Sequence, residues 1–94
     1  MTEAVRDNRA RQRYELDVDG SVAFIDYHRS GGVVTMQHAE VPPALQGRGI
    51  GSRLVRGALD LVRVERESVI PRCPFVADFM HKHPEVQDLL AKQS

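Results

Sequence analysis

Only one cysteine, Cys73, stands in the 94 residues. That excludes an internal disulfide and a four-cysteine zinc site, and it fits a reducing compartment. Long apolar runs are missing as well. None approaches the roughly 20 residues that span a bilayer, and the N-terminus lacks the apolar core of a signal peptide. A cytoplasmic protein without a membrane partner is expected. Net charge is absent too, because 13 Lys and Arg balance 13 Asp and Glu. No whole-molecule field then draws the chain to nucleic acid. Phe24, Tyr27 and Phe75 fall on strand or helix faces without an interleaved basic stripe, so they are expected in the core rather than as a base-stacking platform. His81 and His83 have no convincing third ligand, and no metal is expected.

What is present is enough for one modest core, with 41% hydrophobic residues, and one monomeric domain is the expectation. The segment 1–13, MTEAVRDNRARQR, carries four arginines and two acidic residues but few apolar side chains. It reads as a mobile tail before a domain over 14–94. From Tyr14 the pattern alternates, with Tyr14, Leu16 and Val18 on one face and Glu15 and Asp17 on the other, as in a half-buried strand. Asp19-Gly20 and the SGG of 30–32 then mark hairpin turns flanking SVAFIDYHR (21–29) and VVTMQHAEV (33–41). An antiparallel three-stranded meander is predicted, ended by Pro42 and Pro43, which cannot extend a ladder.

A long amphipathic helix follows to about Glu67, with Ile50, Leu54, Ala58 and Leu61 at helical spacing and Arg53, Arg56, Asp60 and Arg63 facing away. SVIP (68–71) reads as a short strand, Cys73-Pro74 as a helix entrance, and HPEVQDLL (83–90) as a separate short helix.

The helix entrance at 46–52, QGRGIGS, places Gly47, Gly49 and Gly51 where backbone N–H groups have no intrahelical partner. Together with the helix dipole these make an anion site, and the glycines let a phosphate approach the backbone. Read without a ligand, the same glycines make only a sharp strand-to-helix turn. Two phosphate motifs are excluded: no Lys-Ser/Thr pair follows the loop, and Ser52 stands where a dinucleotide fingerprint starting at Gly47 needs its third glycine.

The pattern Gln46-x-x-Gly49-x-Gly51, between a strand and a helix, resembles the pyrophosphate loop of the GNAT superfamily of acyl-CoA dependent N-acetyltransferases. With HAEVPPALQGRGIGSRLV, RCPFVADFM and HKHPEVQDLL in this order, residues 14–90 look like the compact single-domain subclass of that superfamily. The resemblance implies an α/β (α+β) fold with a mixed sheet. Its strand 33–41 would splay from the strand before Cys73 to leave a cleft for the pantetheine arm of acetyl-CoA. It also implies that backbone groups near Glu40 and Val41 meet the thioester and pantetheine, and that N–H groups of Gly47, Arg48, Gly49, Ile50, Gly51 and Ser52 hold the pyrophosphate. Gln46 and Phe75 would join this cofactor site, and the side chains of Arg48 and Arg53 would reach phosphates. The helices that cover the acceptor side in larger members have no counterpart in these residues, so an open acceptor site is expected.

Cys73, before a helix N-terminus that favours negative charge, is a candidate acetyl-accepting nucleophile; a buried structural thiol is the alternative. His38 and Glu40, two apart on one face of strand 33–41 with Val34 and Met36, are candidate bases. Phe79 stands where many superfamily members carry an acid tyrosine, which leaves the general acid unassigned. The expected activity is acetyl transfer from acetyl-CoA to an amine, such as a protein lysine or N-terminus, directly or through acetyl-Cys73. A CoA-binding sensor without turnover is the alternative, and a structural adaptor whose glycine turn binds nothing is a further one.

Overall fold

The computed structural model describes residues 4–92. One five-stranded sheet has the order β1-β2-β3-β4-β5. It is formed by β1 (Arg6–Asn8), β2 (Arg13–Val18), β3 (Ser21–Ser30), β4 (Val33–Glu40) and β5 (Ser68–Pro71). The first four strands are antiparallel neighbours, and β5 runs parallel to β4. Helix α1 (Ile50–Val64) supplies the crossover that a parallel pair requires. Helix α2 (Pro74–Lys82) follows β5, and Pro84–Leu89 closes as a 3-10 helix.

The meander arises where period-2 patterning and turn chemistry agree. Asp19 and Gly20 both adopt positive φ (50° and 79°), as do Gly31 and Gly32 (57° and 79°). Such turns match the twist of the strands they join. Tyr14, Leu16, Ala23, Ile25, Tyr27, Val34 and Met36 form one buried face, against which α1 sets Ile50, Leu54, Val55, Ala58, Leu59 and Val62. α2 and the 3-10 helix lie beside α1 over the same face. Arg56 pairs with Glu85 at 2.6 Å and Arg63 with Asp88 at 2.8 Å, and Val76, Met80 and Val86 join the same core. The opposite face carries no described helix.

The chain before Tyr14 departs from the expected mobile tail over its described part; residues 1–3 lie outside the described residues. β1 pairs with β2, with Asp7 opposite Tyr14. Val5 packs so closely on α1 that a Cβ on Gly57 would overlap its side chain. Polar contacts across the fold replace the apolar content this segment lacks. The Tyr27 hydroxyl donates to Asp7 at 2.6 Å. Arg29 reaches Asp7 at 3.1 Å, the Tyr14 hydroxyl at 3.2 Å, and Glu67 through two bonds of 2.6 and 2.9 Å. Burial pushes both tyrosine hydroxyls above their ordinary pKa, and Asp7 adds to this at Tyr27. The hydrogen bonds to Glu67 raise that of the Arg29 guanidinium.

On the uncovered face, Glu15 is only 3% exposed. It accepts from Arg6 at 2.6 Å, Asn8 at 3.2 Å and Arg13 at 2.5 Å. Burial alone would raise its pKa, but the bonds from Arg13 and Asn8 and the charges of Arg13 and Arg6 outweigh it and hold it below 4.5. Because the folded value lies below the unfolded one, this stabilisation is complete above the ordinary carboxylate range and fades as pH falls through the folded value. Melting curves between pH 7 and pH 3 should show Glu15→Gln less stable than the parent at neutral pH, with the gap narrowing on acidification.

Candidate functional site

The site begins where β4 and β5 part. Their last pair is Met36 with Pro71. There the Met36 carbonyl accepts from the N–H groups of both Arg72 (3.0 Å) and Cys73 (2.9 Å). β4 runs on to Glu40 while β5 turns into α2, and this leaves a gap where the family resemblance implied one.

One residue changes what faces that gap. Tyr27 pairs with Met36 and Asp26 with His38, so Gln37 has no partner on β3 and forms a bulge. A bulge of one residue reverses the alternation of the strand. His38 and Glu40 therefore do not share a face with Val34 and Met36, as regular alternation predicted. They project from the uncovered face, each 60% exposed and 3.7 Å apart. Backbone polar groups reverse with them: beyond the bulge it is Ala39 and Val41 that turn theirs toward the gap.

The loop to α1 closes the other side. Gly47 and Gly49 take positive φ (81° and 70°), and nothing lies within 4 Å of where a Cβ on either would stand. Gly49 caps α1 in the left-handed conformation, and its carbonyl receives the Arg53 N–H at 3.1 Å. Among the described residues, no N–H from Gly47 to Ser52 donates to another backbone group. A cleft of about 250 Å³ is lined by Val41, Leu45, Gln46, Gly47, Gly49, Ile50, Gly51, Ser52 and Phe75. The Gln46 side chain donates to the Val41 carbonyl at 3.2 Å, tying the loop to the end of β4. The Phe75 ring, 45% exposed rather than in the core, lies 2.7 Å from where a Cβ on Gly51 would stand.

The structure thus gathers most of the residues picked out for the cofactor around one cleft and adds Leu45. Its burial at 1% follows from the short 3-10 helix Pro43–Leu45, whose single large apolar side chain carried little signal. Two arginines stand elsewhere. Arg48 pairs with Asp19 of the β2–β3 turn at 2.9 Å. Arg53 lines a separate groove with Val5, Leu16, Arg56 and Gly57. Cys73 begins α2 beside the gap, 5% exposed within the core. No described side chain hydrogen-bonds its thiol, and His38 and Glu40 project from the other side of the sheet.

A GCN5-related N-acetyl-transferase profile matches residues 13–89. The chain belongs to that family. Protein NATD1 of Bos taurus is 33% identical over 88 residues, 90% of this chain and 78% of the relative. The Homo sapiens protein of the same name is 32% identical, with the same coverage. The NMR solution structure of a GCN5-like protein from Staphylococcus aureus superposes with a TM-score of 0.70 at 19% identity. The match covers 96% of this chain and 89% of that one, and it shows that the two share a fold.

Proposed function

We propose that this family member binds acetyl-CoA and transfers the acetyl group directly to an amine. The observation that carries the reading is the row of N–H groups from Gly47 to Ser52, without backbone acceptors and opening on a cleft that meets the β4–β5 gap. Such a row at a helix N-terminus suits the pyrophosphate of the cofactor, and the open space above Gly47 and Gly49 leaves room for it. Arg48 joins by releasing Asp19, an exposed pair worth about 0–1 kcal/mol; Arg53 is assigned no phosphate. Val41 and Ala39 offer backbone groups to the pantetheine, with Phe75 as the apolar wall. Acetyl-CoA supplies the acetyl group as an activated thioester. His38, with Glu40 3.7 Å away, takes the proton that the attacking amine sheds.

Direct transfer is preferred to an acetyl-cysteine because an activated nucleophile needs a base within hydrogen-bond reach, and among the described residues the Cys73 thiol has none. The test mixes protein, acetyl-CoA and lysine-bearing or free N-terminal peptides and follows release of the CoA thiol. Release that requires the peptide is expected, and Cys73→Ala should keep both cofactor affinity and at least about half of the rate. Loss of turnover in Cys73→Ala with binding intact would restore the covalent route, and binding without release in the parent protein would make it a sensor. No described helix is long and apolar enough to cross a membrane.

A further inference from the structure

We infer that the acceptor docks on the uncovered face of the sheet as a cationic amine, a lysine side chain in an extended peptide, and that Asp26 and Phe24 select it. The inference rests on the transferase reading above. On the helix side the gap between β4 and β5 is closed by the N-termini of α1 and α2, where Phe75 meets Gly51, and the cleft there is assigned to the cofactor. Two reactants that meet in the gap must come from opposite sides, and the open approach is the face that no described helix covers.

Register concentrates four unlike side chains at that approach. Asp26 stands opposite His38, and Phe24 opposite Glu40. The Phe24 and His38 rings meet edge to face with centroids 6.4 Å apart. All four lie on or beside the part of β4 beyond its last pair with β5, and the bulge at Gln37 is what brings His38 and Glu40 to this face.

Charge on this face is uneven in a way that favours a cation. Further along, Glu15 and Asp17 are both engaged by Arg6, and Glu15 by Arg13 as well. Arg13 is opposite Asp26 in register, but it gives its Nε to Glu15 and lays its guanidinium over the Phe24 ring at 4.5 Å. Among the described residues Asp26 has no ion-pair partner, and Glu40 has only His38. The side chain of Arg72, exposed where β5 ends, is a cation beyond the gap, so the charge of the acceptor is read on the β3–β4 side. An ammonium group fits there against two carboxylates, and the Phe24 ring packs the methylene stem.

The experiment records amide resonances of the full chain with an uncharged-flank hexapeptide carrying one lysine, alongside the same peptide with norleucine, and separately with CoA. The lysine peptide should shift residues around Phe24, Asp26, His38 and Glu40, and the norleucine peptide should not. Asp26→Asn should weaken the lysine peptide by about threefold, as an exposed charge pair does, while leaving the CoA-induced shifts at 47–52 unchanged. Lysine-peptide shifts confined to other surfaces, equal binding of norleucine, or unaltered affinity in Asp26→Asn would overturn the inference. If CoA fails to shift 47–52, it is the transferase reading that falls, whatever the peptide does.

Discussion

Gly49→Glu should abolish detectable binding of acetyl-CoA while leaving the chain folded. Gly49 caps α1 at φ 70°, a conformation that costs an L-residue about 1–2 kcal/mol. Because nothing lies within 4 Å of its missing Cβ, the new side chain enters open space without breaking the core. On the proposed reading, that space receives the pyrophosphate. A carboxylate there competes for the N–H groups of Gly47 to Ser52 and repels the pyrophosphate. Losing two charge-assisted bonds at about 1.5–3 kcal/mol each amounts to at least about a hundredfold in affinity. Calorimetric titration with CoA measures it, and circular dichroism confirms the fold. An affinity equal to that of the parent would return the glycine segment to a simple turn.

Arg29→Ala should be the most destabilising single change outside the apolar core. The guanidinium joins Asp7 of β1, the hydroxyls of Tyr14 and Tyr27 in β2 and β3, and Glu67 in the turn after α1. Side-chain exposures of Arg29, Asp7 and Glu67 are only 19%, 14% and 10%. Truncation leaves Glu67 largely buried without its cation and Asp7 with only Arg9, at 3.3 Å, and breaking such a buried pair costs about 3–5 kcal/mol. For a domain of this size that corresponds to a melting temperature lower by on the order of 15 °C. Arg29→Lys restores charge but not the two-bond geometry to Glu67, so its melting temperature should fall between the two. A loss below about 1 kcal/mol in Arg29→Ala would mean that water screens the cluster.

The elements legible in the sequence are those whose cause is local. Alternation over Tyr14–Val18, the Asp19-Gly20 turn and the i, i+4 rows of Ile50–Val62 each specify themselves within a few residues, and the structure follows them. The glycine-rich entrance to α1 was legible for the same reason, since cap position and glycine spacing are adjacent in the chain. What escaped depends on partners far away in sequence. β1 is held by Tyr27, Arg29 and Gly57, none of which a count of apolar residues in 1–13 can register. The pairing of Arg48 with Asp19 is likewise visible only once two turns meet. The bulge at Gln37 is the most consequential of these. Over 33–41 the apolar positions pass from Val34 and Met36 to Ala39 and Val41, a change of phase that a frayed strand end would also show, and the register against β3 identifies it as the extra residue that turns His38 and Glu40 over.

With all described helices on one side, the strands carry two texts in alternate letters. Tyr14, Leu16, Ile25, Val34 and Met36 spell the core; Phe24, Asp26, His38 and Glu40 spell the outward surface. Substitution in the second set draws little on the first. If the acceptor docks on this face as inferred, outward residues can be exchanged to suit a different acceptor at little cost to the core.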